Sequence, residues 1–502
     1  MQPQRGINMH VSVKQAQNYK SVIARAQENQ IVIPTFAQMK NPEKVPEAIQ
    51  RQLKKTGLWD IKPCNLFRIT WKNEPKSRGG LFGGVNFIEF PPELTGVKAR
   101  ILALNSKWFP VGCHKVGAAF SCLVPRLLEG QFNPSYHKTV WPSTGNFCRG
   151  GAYISSLLSC ESVAILPVEM SRERFGWLST IASEVVTIEG QDGNMLKLFQ
   201  KANELQSTRP NIVVFDQFAE AGNYMWHYHV TGDAIQSAYE SIKTKHSRLA
   251  GICLSVGSGG AMASGDYIKR LHPEVKLAAG EVSCCATLMN NGFSPHHIEG
   301  IGHRHVPWIM NIRNLDMSIG VEDDDCIGLY RLFNEPVGCN YLRKRVGVPV
   351  EFVEQLSLLG LSGISNFLCA IKMAKYYELD ENDVIVTVLT DSADMYLSRI
   401  EEFARKTGEY TPTMASNDYH RHLQTVRTDN MQEFNFQDRK RIHNLKYFTW
   451  VEQKGKAVDE LSDQWAQCRT YWKNMQDQVV SLDEKIQEFN EDTGVLKSLR
   501  NL

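Results

Sequence analysis

The sequence lacks a long apolar run and any real excess of charge. Its 502 residues contain 56 Lys and Arg against 54 Asp and Glu, a net charge of +2, which argues against nucleic acid or an anionic membrane surface as a partner. The most apolar stretch, Leu356 to Ala374, is interrupted by Ser, Gly and Asn, so a transmembrane helix is not expected. The opening Met1-Gln-Pro-Gln-Arg lacks the apolar core of a signal peptide.

Cysteines and histidines with metal-binding or redox spacing are also lacking. The 12 cysteines include no Cys-x-x-Cys pair, and Cys284 and Cys285 are simply adjacent. Reduced thiols and a cytoplasmic location are therefore predicted. Paired histidines have no cysteines or carboxylates nearby at ligand spacing, so no metal site is predicted. These pairs are His227/His229, His296/His297 and His303/His305.

The central part of the chain, residues 115–400, alternates short β-branched segments with longer amphipathic ones. This alternation predicts a mostly parallel sheet covered by helices, an α/β fold. Further strands are predicted in residues 61–110, and helices before them. The predicted helices are Val13–Glu28 and Pro46–Lys55, and the predicted strands are Asn65–Trp71, Val85–Phe90, Arg100–Leu104, Val163–Val168, Glu184–Ile188, Asn211–Phe215, Leu249–Val256, Val275–Ala279 and Asp383–Leu389.

The last hundred residues have a different pattern. Residues 405–438 are polar and are predicted to be irregular. Beyond them large residues recur at alternating spacings of three and four, which predicts a heptad helix over about 455–490. A dimerising coiled coil and a long helix packed on its own domain both fit this pattern. Its residues are Val458, Leu461, Trp465, Cys468, Trp472, Met475, Val479, Leu482, Ile486 and Phe489.

Two turns have residues suited to chemistry. Lys115 follows the small-residue turn Pro110-Val-Gly-Cys-His; a lysine stripped of water has a lowered pKa and becomes a nucleophile or base, although most lysines are solvated surface charges. The segment Gly257-Ser258-Gly259-Gly260 lies between a predicted strand and a predicted helix. Its backbone N–H groups and the helix dipole suit a phosphate, whereas a plain tight turn is the alternative.

Two further loops carry polar residues before helices. Ser143-Thr144-Gly145-Asn146 offers hydroxyls, an amide and backbone N–H groups to a carboxylate, and Ser362 precedes an apolar helix. Helix N-capping is an equally good explanation of these residue types, and both roles are compatible.

These motifs, in this order, resemble the pyridoxal-phosphate enzymes of fold type II, the family of cysteine synthase, threonine synthase and the β subunit of tryptophan synthase. The resemblance covers about residues 61–400 and leaves both flanks outside. The motifs are Pro110 to Lys115, Ser143 to Asn146, Ala164 to Arg174, Gly257 to Gly260, Phe293 to Gly302, Leu361-Ser-Gly363 and Leu389-Thr-Asp-Ser392.

The resemblance implies two α/β domains with the cofactor between them. The large, cofactor-binding domain would comprise residues 61–110 and 231–404, and residues 111–230 would form a small mobile domain. Residues 1–60 would be a helical N-terminal extension, and residues 405–502 a C-terminal extension.

The resemblance also assigns roles to residues of this chain. Lys115 would bind the aldehyde of pyridoxal 5′-phosphate and act as acid and base at the substrate's Cα, and Ser362 would contact the pyridine nitrogen. Asn146 would hydrogen-bond the cofactor's 3-oxygen. The phosphate would be held by Gly257, Ser258, Gly259 and Gly260, and the substrate carboxylate by Ser143, Thr144, Gly145 and Asn146. Phe147, where the family has a small polar residue, is expected to narrow the mouth of the pocket.

The implied activity is β-replacement on an amino acid with a β leaving group, through an aminoacrylate, as in cysteine synthase. The alternatives are a β-elimination lyase, such as a cysteine desulfhydrase or a serine or threonine dehydratase, and a catalytically silent scaffold. The expected partners are a small amino-acid substrate and further copies of the chain, as a homodimer or a higher homo-oligomer.

Overall fold

The computed structural model describes residues 13–143, 145–168, 172–189, 195–292 and 294–500. Two mostly parallel sheets covered by helices form its centre. The α/β fold class is therefore confirmed, and the C-terminal helices are present as expected.

The larger sheet has the strand order β1-β2-β10-β7-β8-β9-β11, and the smaller sheet has the order β5-β4-β3-β6. Only the pairs β1/β2 and β9/β11 are antiparallel among the strands of the described residues. The strands are β1 (Phe87–Phe90), β2 (Arg100–Asn105), β3 (Lys138–Val140), β4 (Glu161–Pro167), β5 (Glu184–Ile188), β6 (Ile212–Val214), β7 (Arg248–Ser255), β8 (Lys276–Val282), β9 (Met317–Val321), β10 (Asp383–Leu389) and β11 (Met431–Glu433).

Helices cover both sheets and continue through the C-terminal segment. The helices up to the middle of the chain are α1 (Val13–Glu28), α2 (Phe36–Lys40), α3 (Glu47–Lys54), α4 (Pro92–Thr95), α5 (Lys115–Leu128), α6 (Asn146–Leu157), α7 (Arg172–Ile181), α8 (Met195–Thr208), α9 (Ala221–Trp226), α10 (Gly232–Ile242), α11 (Met262–Leu271) and α12 (Thr287–Asn290). They are followed by α13 (Asp323–Asn334), α14 (Pro336–Tyr341), α15 (Val350–Val353), α16 (Leu361–Tyr376), α17 (Leu397–Thr407), α18 (Pro412–Asp418), α19 (Phe436–Lys446), α20 (Val458–Ala466), α21 (Cys468–Thr493) and α22 (Val495–Arg500).

The centre of the larger sheet explains why several motifs meet. Strand β10 is buried along its whole length, as expected of a parallel strand with helices on both faces. It pairs in parallel with β2, where Leu389 lies opposite Asn105, and with β7. The segments that follow these strands therefore leave from the same edge of the sheet, where ligands of open α/β sheets bind.

Two expectations about local structure are wrong. The predicted strand Asn65–Trp71 is instead a 3₁₀ helix, Pro63–Arg68, because Pro63 suits a first helical position and Asn65 donates to the carbonyls of Gly57 and Asp60. Residues 405–438 are not irregular: they contain α18, β11 and the start of α19. Side chains of Thr411 and Asn435 cap α18 and α19, and such caps stabilise short polar helices.

The heptad segment packs on its own chain. It is divided at Gln467 into α20 and α21. Leu482, Ile486 and Phe489 are buried in the main core, and Phe489 meets Tyr19 of α1 edge-to-face. Of the two explanations of the seam, the structure supports the long helix packed within the chain.

One feature of the fold concerns membranes. Within the described ranges no single helix has the length and apolar composition to cross a bilayer. The segments Val350–Leu358 and Leu361–Tyr376 reach that length and composition only when they are counted together, and the chain bends by 120° between them.

The small sheet lies within the predicted small domain, residues 111–230, whose boundaries stay a prediction.

Candidate active site

The turn before Lys115 has an unusual backbone. Strand β2 ends at Asn105, and the chain passes through Val111 at φ 55° and Gly112 at φ 64° before α5 begins at Lys115. A positive φ is unfavourable for a β-branched residue such as Val111 and persists only where the surroundings hold it. The turn therefore places Lys115 at a helix start through a strained conformation.

The amine of Lys115 lies close to the glycine loop. Its Nζ donates to Ser258 Oγ at 3.0 Å. Burial lowers the pKa of Lys115 from 10.5 to about 8, because the charged form loses hydration that the pocket does not replace. The neutral, nucleophilic fraction of the amine near neutral pH is therefore far larger than for an exposed lysine.

The loop Gly257–Gly260 is closely packed at its back. Ser258 Oγ accepts a second hydrogen bond from Asn223 Nδ2 at 3.0 Å, and the same amide donates to the carbonyl of Gln217. A Cβ at Gly260 would lie 2.1 Å from Asn223 Oδ1, and one at Gly257 would lie 2.4 Å from the carbonyl oxygen of Gly300. Only glycine fits at both positions.

The same loop offers hydrogen-bond donors without acceptors. Within the described part of the chain, the N–H groups of Gly257, Ser258, Gly259 and Gly260 make no hydrogen bond, and helix α11 begins two residues later at Met262. Such unpaired donors at a helix start suit a phosphate group. The predicted anion loop therefore has the donor set that its role requires.

The loop before α6 reaches across to the segment after β10. Asn146 Nδ2 donates to Asp391 Oδ2 at 2.6 Å, and the hydroxyl of Tyr396 donates to the same oxygen at 2.7 Å. Ser143 Oγ accepts from the N–H of Gly145 at 3.1 Å. Thr144 lies outside the described residues, as do residues 169–171 of the Ala164 to Arg174 motif.

Ser362 is the second residue of α16 and is buried. No hydrogen bond of its hydroxyl to another described residue occurs, so the hydroxyl is available to a ligand. Asn366 fixes this helix at the sheet edge, since its Oδ1 accepts from the N–H of Ser255 and its Nδ2 donates to the carbonyl of Val388, both at 2.7 Å.

Phe147 is not at the mouth of the pocket, contrary to expectation. It is 1% exposed and packs in the core against Trp141, with ring centroids 5.3 Å apart. The reason is that α6 begins at Asn146, so Phe147 is already helical and lies on the apolar face.

Several neighbours of the site were not predicted from the sequence. His114 and His227 are buried beside Lys115, with ring centroids 4.9 Å apart and pKa values lowered by burial. His303 lies beside the glycine loop, with its Nε2 3.6 Å from the position of a Cβ at Gly257. No group of three or more His, Cys, Asp or Glu suited to a metal occurs among the residues described.

Comparison with known proteins identifies the fold that carries these loops. A family model described as pyridoxal-phosphate dependent enzyme matches residues 92–339. This region of the chain belongs to the fold type II pyridoxal-phosphate-dependent enzymes. The matched region contains the lysine turn, the loop before α6 and the glycine loop, and membership of the family implies pyridoxal phosphate as the cofactor.

Individual members of the family are distant. Cystathionine beta-synthase of Saccharomyces cerevisiae is 24% identical over 382 residues, 73% of this chain and 71% of that protein. Cysteine synthase of Staphylococcus aureus is 27% identical over 290 residues, 58% of this chain and 84% of that protein. The crystal structure of cysteine synthase from Entamoeba histolytica has a TM-score of 0.55 at 20% identity and covers 68% of this chain and 94% of that one.

Proposed function

We propose that this chain binds pyridoxal 5′-phosphate at Lys115 and catalyses β-replacement on an amino acid with a β leaving group. The observation that carries the proposal is the half-buried amine of Lys115, with its lowered pKa, beside a glycine loop with unpaired N–H donors. The names of the two relatives, cystathionine beta-synthase and cysteine synthase, support the same reaction class.

The residues of the site fit the cofactor. The N–H groups of Gly257–Gly260 would hold the phosphate, the free hydroxyl of Ser362 would contact the pyridine nitrogen, and Asn146 would reach the 3-oxygen. When bound, pyridoxal phosphate supplies an aldehyde that links to amines and a ring that stabilises negative charge at Cα.

The protein's own part in the reaction is proton transfer, substrate binding and exclusion of water. Lys115, whose pKa is lowered by burial, accepts the proton from the substrate's Cα in its neutral form and returns it later. The segment Ser143–Asn146 binds the substrate carboxylate. Glu173 of α7 accepts hydrogen bonds from the N–H and the hydroxyl of Ser398 in α17, at 2.9 and 2.8 Å. This contact holds α7, on the side of the small sheet, against α17, and a site closed in this way excludes water.

The cofactor proposal is tested by reconstitution. The chain, incubated with pyridoxal phosphate, should show an absorbance band at about 410–420 nm that is a property of the lysine-bound cofactor. Borohydride reduction, digestion and mass spectrometry should place the cofactor on Lys115. The Lys115→Ala variant should lose the band, and Lys245→Ala, which removes an exposed lysine, should keep it. A wild-type chain without the band would favour the scaffold alternative.

The reaction is tested with O-acetylserine and serine, each with and without sulfide, and with cysteine alone, because sulfide would only convert cysteine back into cysteine. β-Replacement predicts a new amino acid whose formation depends on the added nucleophile. Pyruvate formed without a nucleophile, and no new amino acid in its presence, would overturn replacement in favour of the β-elimination lyase.

A further inference from the structure

Arg149 is a buried cation inside the proposed cofactor site. It lies on α6, one helical turn after Asn146, and is 2% exposed. Its guanidinium carbon lies 5.5 Å from the ring centroid of Trp59 and 5.4 Å from that of Trp177. The two ring centroids lie only 5.8 Å apart, so both indole rings lie on the same side of the guanidinium and hold it there by cation–π attraction.

The guanidinium joins three segments that carry site residues. Nη2 donates to the carbonyl oxygen of Val111 at 2.9 Å, and Nη1 donates to Asn146 Oδ1 at 3.3 Å. Nη1 also contacts the sulfur of Met395, in the segment that follows Asp391. One side chain thus bonds the lysine turn and the loop before α6 simultaneously.

The bond to Val111 acts on the strained part of the lysine turn. Val111 is the residue at φ 55°, and a hydrogen bond from a charged donor to its carbonyl is of the strong class. Helix α6 also touches Lys115 directly, since a Cβ at Gly150 would lie 2.9 Å from the carbonyl carbon of Lys115. The arginine and the glycine that follows it therefore fix the place of the lysine relative to α6.

Trp59 brings the N-terminal extension into the site. Its ring lies 3.6 Å from the position of a Cβ at Gly112 and meets Trp177 edge-to-face at 5.8 Å. The extension, outside the family match at residues 92–339, thus contributes one wall around the guanidinium.

We propose that Arg149 is a positioning residue that fixes the lysine turn and Asn146 relative to each other, with Trp59 and Trp177 holding its guanidinium. The part of this inference that concerns the cofactor rests on the proposed function. A lysine cannot replace Arg149, because a single ammonium group lacks the planar fork whose two nitrogens bond Val111 and Asn146 at the same time.

The test compares Arg149→Lys and Arg149→Met with the wild type. The first readout needs no cofactor: the pH dependence of labelling of Lys115 by a small amine reagent, followed by peptide mass spectrometry. Both variants should label with half-maximal rate at a pH about one unit higher, since a relaxed turn hydrates the amine. The second is affinity for pyridoxal phosphate, expected to fall roughly tenfold, with a changed circular dichroism of the bound cofactor.

Arg331→Lys is the matched control. Arg331 is also buried, lies over the ring of Tyr410 and donates to the carbonyl of Gly408, but it belongs to α13. This variant should lose stability and keep the labelling profile of Lys115. If Arg149→Lys behaves like Arg331→Lys, with unchanged labelling and unchanged cofactor dichroism, Arg149 is merely structural and the inference is overturned.

Trp59 provides an independent arm. Trp59→Phe keeps a ring against the guanidinium and should retain the wild-type labelling profile, whereas Trp59→Leu should shift it in the direction of the Arg149 variants. If both Trp59 variants show the same pH dependence of Lys115 labelling, the N-terminal extension does not help to hold Arg149. A wild-type chain that binds no pyridoxal phosphate would refute the proposed function alone, because the labelling arms would still decide on Arg149.

Discussion

At the scale of single residues, the site depends on an amine that has lost most of its water. Lys115 retains one hydroxyl partner, Ser258, and its pKa is lowered to about 8 by burial. A lowered lysine pKa means that the neutral form dominates above pH 8 and the charged form below it. The reactivity of the amine must therefore change in the range in which an exposed lysine stays protonated.

This gives a prediction for cofactor binding. The rate at which pyridoxal phosphate attaches to the apo chain should rise with pH, be half-maximal at about pH 8 and level off at higher pH, because only the neutral amine attacks the aldehyde. Stopped-flow absorbance measures this rate. The same measurement on N-acetyl-lysine corrects for the ionisations of the cofactor itself and should still rise at pH 10. A parallel rise for the protein and the free amine would contradict the lowered pKa.

Which residues the sequence could predict follows from how local their signals are. Lys115 and Ser258 follow recognisable turns, and the structure brings them into contact across 143 positions of the chain. Arg149 has no such signal: one arginine in a helix is usually a solvated charge. Its role depends on Trp59 and Trp177 arriving from other segments, which no local pattern contains.

At the scale of elements, the glycine loop Gly257–Gly260 packs so closely against its neighbours that Gly257 and Gly260 have no room for a side chain. Its backbone N–H groups stay free for a ligand. Gly260→Ala should weaken binding of pyridoxal phosphate by roughly tenfold or more, because the new Cβ, 2.1 Å from Asn223 Oδ1, displaces the amide that supports Ser258. Binding of pyridoxal, which lacks the phosphate, should change much less. Equilibrium titration by absorbance compares the two ligands.

Gly176→Ala is the control for this loop. Gly176 lies in α7 with no atom within 4 Å of a Cβ at that position, so its substitution should leave both affinities unchanged. If Gly260→Ala weakens pyridoxal and pyridoxal phosphate equally, the loop does not act through the phosphate.

The C-terminal helix α21 is a structural element of the same chain. Phe489 is 1% exposed in the main core, and Phe489→Ala should lower the free energy of unfolding by about 3–5 kcal/mol. Val480, on the opposite side at 62% exposure, should tolerate alanine within about 0.5 kcal/mol. Denaturant titration checks both. Equal, small effects would mean that the helix packs elsewhere in solution.

The elements also show what a sequence pattern can and cannot determine. Strands β5 and β10 coincide with their predicted ranges because both contain continuous runs of β-branched residues, which favour strands whether buried, as in β10, or at a sheet edge, as in β5. Strand β3, only Lys138–Val140, is too short for a periodic signal. The heptad spacing indicated helical structure, which the chain forms as α20 and α21 rather than as one helix. It left the packing partner open, since a seam of large residues packs equally well on another chain or on its own.

At the scale of the whole molecule, one buried lysine joins the C-terminal segment to the loop beside the site. Lys446 is 0% exposed, and its Nζ donates to the carbonyls of Trp308 and Met310 and to Gln464 Oε1 at 2.9, 2.7 and 2.8 Å. Burial lowers its pKa from 10.5 to about 7. Because the unfolded chain keeps an ordinary lysine pKa, the unfolded state binds more protons than the folded state between pH 7 and 10.5.

The free energy of unfolding should therefore rise with pH between pH 7 and 10.5. The Lys446→Met variant should show a smaller rise. The slope of the free energy of unfolding against pH, measured by denaturant titration from pH 7.5 to 9.5, should fall by up to about 1.4 kcal/mol per pH unit in the variant. The slope is the informative quantity, because the unpaired carbonyls of Trp308 and Met310 also destabilise the variant, at every pH alike. Lys245→Met, at an exposed position, should keep the wild-type slope. Parallel curves for the wild type and Lys446→Met would mean that Lys446 stays charged in the fold, held by its three acceptors rather than neutralised by burial.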